Sequence, residues 1–167
     1  MEAALLAGLA GLVGLILGRF WDSRVESARW RRDQRIRIYE LVGTSYYTVR
    51  EAIRAVALLD PDSESADQAA SRALDLGGDF HRAVVAVWLH GSAPVATAVR
   101  DIDAELIKMF RVARTRRFSW EEWRDVRGPA EHALERFVEA ARAELHLPQL
   151  NVTIRIAETA DDPMPLR

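Results

Sequence analysis

No cysteine occurs among the 167 residues. Disulfides, thiolate metal sites and cysteine nucleophiles are therefore excluded, and a cysteine-free chain suits a reducing cytoplasm. Lysine is nearly missing as well: Lys108 is the only one, and arginine carries the rest of the positive charge. The four histidines, His81, His90, His132 and His146, form no pair at helical metal-ligand spacing. Glu131-His132 with Glu135 has no reciprocal Glu-x-x-His on another segment of the kind di-iron bundles use. Phosphate-binding glycine loops and a Gly-x-Ser-x-Gly elbow are absent too. No metal, no cofactor and no catalytic residue is expected. A formal net charge of −2 argues against a nucleic-acid partner.

What is present first is apolar. Ala3 to Gly18 carries no charged or polar side chain, and Arg19, Phe20 and Trp21 follow at once. A bilayer span needs about 17 to 25 mostly apolar residues. Phe20 and Trp21 extend the run into that range if Arg19 snorkels to the headgroups. A cleaved signal peptide fits less well, because Glu2 stands where positive charge is wanted and Arg19 to Asp22 makes a poor cleavage site. A buried soluble helix is the other competitor. The expectation is an uncleaved anchor over residues 1–21.

Arg19, Arg24, Arg29, Arg31, Arg32, Arg35 and Arg37 crowd the C-terminal flank, and no basic side chain precedes the run. That asymmetry places the N-terminus outside an inner membrane and the body in the cytoplasm. Gly8, Gly11, Gly14 and Gly18 recur with alanines at four-residue spacings, which lets two such helices pack closely and makes a homo-oligomer through this segment an expectation. Arg19, Trp21, Arg24, Arg29, Arg31 and Arg32 are the expected contacts to membrane lipid headgroups.

Residues 22–37 are polar on every side and read as a helical stalk. From there the period changes. Tyr39, Val42, Tyr46, Val49, Ile53 and Val56 form a first apolar seam at three- and four-residue spacing, closed by Asp60-Pro61. A second seam runs Ala66, Ala70, Ala73, Gly77, Phe80, Val84 and Val87, capped by Ser63 or Ser65 and ended by Gly91. Gly77-Gly78 predicts a kink or short break in it. Val95, Val99, Ile102, Leu106, Met109 and Ala113 make a third seam, opened by Ser92 and Pro94. The fourth, Trp123 to Leu145, opens on a capping box, Ser119 with Glu122, flanked by Phe118 and Trp123 in staple positions. Gly128-Pro129 predicts a kink or two short helices in line.

Four seams joined by short loops imply an all-α fold: a transmembrane helix continuing into the long first helix of an antiparallel four-helix bundle. The expected domains are 1–21 anchor, 22–37 stalk, 38–147 bundle and 148–167 flexible tail. Within the tail, Val152, Ile154 and Ile156 alternate like a strand with no partner strand elsewhere. At the end far from the membrane, Asp60, Asp62 and Glu64 are expected to neutralise Arg114, Arg116 and Arg117.

The opening combination, a Leu/Gly/Ala span, then Trp30-Arg31-Arg32-Asp33, then Arg37-Ile38-Tyr39-Glu40-Leu41, resembles a broad group of uncharacterised single-pass membrane proteins of actinobacteria and their phages. The resemblance covers about residues 3–45. It implies a membrane-tethered cytoplasmic helical domain and supplies no activity and no site residues. The expected function is a non-catalytic, membrane-tethered interaction module with a protein partner that the residues do not name. A phage- or host-encoded membrane effector acting on the envelope or on infection is the alternative. An enzyme would need a ligand pocket between helices near Gly77-Gly78.

Overall fold

A computed structural model describes the backbone of residues 2–148, and the side chains of Glu26 and of residues 29–148. The described residues form four helices: α1 Glu2–Leu58, α2 Glu64–His90, α3 Ala93–Ala113 and α4 Trp120–Glu144. No strand occurs among the described residues. By their contacts, Met1–Arg37 and Ile38–Arg167 form separate units. In the first unit Glu26 and residues 29–33 expose their side chains.

The second unit is a helical bundle, and cross-helix contacts fix its directions. Tyr39 on α1 meets Phe137 and Glu144, Arg50 meets Glu131, and Arg54 lies over the Trp120 ring. Higher numbers on α1 thus meet lower numbers on α4, so the two helices are antiparallel. Arg114, just past α3, reaches Asp67 in the first turn of α2, while the Ser92 cap of α3 meets Glu144 near the end of α4. Neighbouring helices therefore alternate in direction, as short connections require.

Every member of the first and third seams is buried, and so are all of the second except half-buried Gly77. Trp123, Tyr46, Phe80, Phe137, Ile53 and Ile102 are the largest fully buried side chains. Burying each apolar one contributes about 1.5–3 kcal/mol. Val126 and Leu145 of the fourth seam are half-buried.

Helix ends follow local chemistry. Ser63, not Ser65, caps α2 by accepting from the Ala66 amide. The Ser119–Glu122 capping box forms in both directions. Phe118 and Trp123 are buried on either side of it, and the Phe118 amide donates to the Ala57 carbonyl near the end of α1. At the end of α4, His146 takes a left-handed φ of 56° and the Leu147 amide turns back to the Arg142 carbonyl.

At the two expected interruptions the helices continue. α2 runs unbroken through Gly77-Gly78. Two glycines cost about 1 kcal/mol each relative to alanine, less than the burial of Phe80, Val84 and Val87 that follows on the same face contributes. α4 passes through Pro129 as one helix, the first of the two courses expected there, because Trp123, Ala130, Leu134 and Phe137 hold one buried face across it. The expected charge pairing between loops also takes other partners: Arg114 lies 3.7 Å from Asp67, and Arg116 lies 2.7 Å from Glu122.

Candidate functional site

Four features of the bundle could carry function. The first is a junction where the chain enters it. The Glu144 carboxylate accepts from the Tyr39 hydroxyl at 2.6 Å, and from the Ser92 amide and hydroxyl at 3.1 and 2.9 Å. Gly91 is required beside it: a β-carbon there would stand 2.9 Å from the Val87 carbonyl oxygen and 3.1 Å from the Tyr39 hydroxyl. The carboxylate also faces the N-terminus of α3, where negative charge is favoured. One junction thus ties α1, the α2–α3 turn and α4 together.

The second is an ion network between α1 and α4. Among the described residues, Arg50 and Arg127 are the two buried charged ones, at 6% and 7% exposure. Both reach one oxygen of Glu131, at 3.3 and 3.2 Å. Arg50 also pairs with Glu51 at 2.7 Å, and Glu51 with Arg54 at 2.6 Å. The Arg50 guanidinium lies over Tyr47 and that of Arg54 over Trp120. Beside them the Tyr46 hydroxyl is buried and finds no hydrogen-bond partner among the described residues. Burial pushes its pKa well up, and the Glu131 charge adds to the rise. Burial raises Tyr47 also.

The third is a groove of about 550 Å³ between α1 and α2. Ala52, Ala55 and Ala69 leave the space, and Thr48, Ser65, Gln68 and Arg72 supply polar groups along it. Its acidic member, Glu51, is held in ion pairs with Arg50 and Arg54. The lining contains no histidine.

The fourth is the outer face of α2. Leu74, Val85, Trp88 and Leu89 are 60%, 38%, 52% and 73% exposed. With exposed Gly78 and His81 they form a stripe at four- and three-residue steps along a helix whose opposite face is already buried in the core. Asp79 and Arg82 pair beside it. An apolar helix face that the fold leaves to solvent is the kind of surface that marks an interaction site.

The residues expected to act in the membrane fall largely elsewhere. The anchor, with Gly8, Gly11, Gly14, Gly18, Arg19, Trp21 and Arg24, has its side chains outside the described residues, as does the alternating tail. Arg29, Trp30, Arg31 and Arg32 are described and all exposed on α1. Among the described residues no helix is long and apolar enough to cross a membrane. His81, His90, His132 and His146 are all exposed, and no group of three or more metal-binding side chains converges among the described residues.

Sequence reading missed the ion network and the second face of α2, although both left signals. Arg50 lies four residues after Tyr46 and three before Ile53, and Arg127 lies four after Trp123 and three before Ala130. Both therefore stand on a buried stripe. From Ala83 to Leu89 no residue is polar, which makes that stretch apolar all round where one face suffices for a bundle. Comparison with protein-family models, with curated proteins and with solved structures gave no match to this chain.

Proposed function

We propose that the chain is a membrane-tethered interaction module without catalytic activity, its bundle held at the cytoplasmic face of an inner membrane. The observation that carries the interaction part is the exposed apolar face of α2, set on a helix already packed into the core. The tether rests on the uninterrupted apolar run from Ala3 to Gly18 and on the arginines that follow. In this reading residues 1–21 cross the bilayer and residues 22–37 lead to the bundle. Arg19, Trp21, Arg24, Arg29, Arg31 and Arg32 meet lipid headgroups, and the exposure of Arg29, Arg31 and Arg32 is compatible with that. Gly8, Gly11, Gly14 and Gly18 offer a close-packing face to a second copy.

Fractionation of cells expressing the full chain tests the tether. The chain is expected in the membrane pellet after washes in high salt and alkaline carbonate, and in the supernatant once residues 3–18 are deleted. Release of the intact chain by salt alone would overturn the reading, since salt strips contacts that are only electrostatic.

A further inference from the structure

We propose that the groove between α1 and α2 binds a chain-like organic anion. An alkyl monocarboxylate lays its apolar tail along the alanine floor, and Arg72 holds its head.

The shape selects a single chain. α1 contributes Thr48, Ala52 and Ala55, and α2 contributes Ser65, Ala69, Arg72 and Leu76. These recur at steps of three and four, so one face of each helix forms a wall. Eleven residues separate Ser65 from Leu76, a rise of about 16 Å. Spread over that length, the groove's volume of about 550 Å³ gives a cross-section of roughly 34 Å². A helix with its side chains is about 10–12 Å across and does not enter; one extended chain does. The volume also lies within the range of about 300–1,000 Å³ common to small-molecule sites.

The floor selects an apolar body. Ala52, Ala55 and Ala69 end at a β-carbon and offer neither donor nor acceptor. An extended peptide brings one of each at every residue and would leave those facing the floor without partners. An alkyl chain brings none.

The charges select an anionic head. Glu51 is neutralised by Arg50 at 2.7 Å and Arg54 at 2.6 Å, so it has little pull on a cation. Gln68 donates to Glu64, and the Thr48 hydroxyl donates to the Thr44 carbonyl. Arg72 differs from these: no acidic side chain pairs with it among the described residues. Asp67 lies by Arg114, and Asp75, three residues further on, does not reach Arg72. A guanidinium on the groove wall with its N–H fork open to solvent matches a carboxylate in charge and geometry. Glu51 connects the groove to the ion network, since it lines the one and belongs to the other.

The probe is octanoate carrying a terminal trifluoromethyl group. It is titrated against the full chain in nanodiscs and followed by fluorine NMR, with protein-free nanodiscs as the blank for partition into lipid. Saturable binding at one site per chain is expected. Arg72→Gln, at an exposed position, should weaken it at least about tenfold, the scale of one charge-assisted contact. The trifluoromethyl alcohol of the same length should bind weaker by a similar factor. Ala55→Leu, also exposed, places a larger side chain in the groove and should remove saturable binding while circular dichroism stays unchanged. Lys108→Gln, away from the groove, should leave binding as it was. No binding above the blank would overturn the proposal. So would an alcohol that binds as tightly as the carboxylate, or binding that survives Ala55→Leu. All the groove residues lie in the second unit, and the readout is binding and not location, so the outcome is independent of the tether.

Discussion

Removal of the Glu131 carboxylate tests whether the network between α1 and α4 is a buried one. The Arg50 and Arg127 side chains are 8% and 9% exposed, and both approach the same Glu131 oxygen. Taking away one partner of a buried ion pair typically costs about 3–5 kcal/mol, because the charge left behind keeps its desolvation penalty. Here the cost is smaller for two reasons. Glu131 is 38% exposed, so water already screens it, and Arg50 retains Glu51 at 2.7 Å. Glu131→Ala is therefore expected to destabilise by about 2 kcal/mol, or roughly 10 °C in Tm for a bundle of this size. Glu131→Gln should lose about half of that, since it keeps an acceptor and loses the charge. Replacing the set together, Arg50→Met, Arg127→Met and Glu131→Leu, should return the protein to near its original stability, because no buried charge remains. Urea and thermal melts of the full-length chain in micelles, followed by circular dichroism, measure all three. A Glu131→Ala change below about 0.5 kcal/mol, the range of an exposed pair, would refute the reasoning. So would a triple variant as unstable as the single one.

Gly91→Ala is expected to cost about 1–3 kcal/mol, since its β-carbon would press on a backbone carbonyl. Gly78→Ala, with nothing within 4 Å, should stabilise by about 0.5–1 kcal/mol in the same melts. Tyr46→Phe should be neutral or stabilising by up to about 1 kcal/mol, because it removes a buried hydroxyl that finds no partner among the described residues; clear destabilisation would point to a hydrogen bond. Glu122 is held at a pKa of about 2, below the usual 4.5, first by Arg116 and then by the Ser119 amide. A depressed carboxylate stabilises above its unfolded value, and that contribution is lost as pH falls through the folded value. Glu122 should thus remain ionised at pH 3 in a carbon-13 carboxyl titration, and Arg116→Ala should move its midpoint up; a wild-type midpoint near 4.5 would contradict this.

The buried seams were legible because burial imposes the 3.6 period directly on the residues. Tyr39 to Val56 and Val95 to Ala113 could be read position by position, and all their seam members are buried. The Ser119–Glu122 box was legible because its chemistry is local. Arg50 and Arg127 were not, since a guanidinium on a seam is buried only if another helix brings it a carboxylate, and that pairing spans 81 residues between Arg50 and Glu131. The same non-locality sent Arg114 to Asp67, whereas Arg116 pairs locally with Glu122 in the capping box. The unbroken course of α2 shows tertiary packing overriding the propensity of Gly77 and Gly78. Its outer face went unread because one apolar seam per helix satisfies a bundle, and Val85, Trp88 and Leu89 were absorbed into an apolar run that needed no second face.

The most direct measurement is the side of the membrane on which the bundle lies. A reporter fused after Arg167, in one form fluorescent only in the cytoplasm and in another a phosphatase active only outside it, reads this in intact cells. Cytoplasmic fluorescence that stays with the membrane pellet, together with an inactive phosphatase, is the expected result. An active phosphatase, or fluorescence in the soluble fraction, would contradict a cytoplasmic bundle tethered through Ala3 to Gly18.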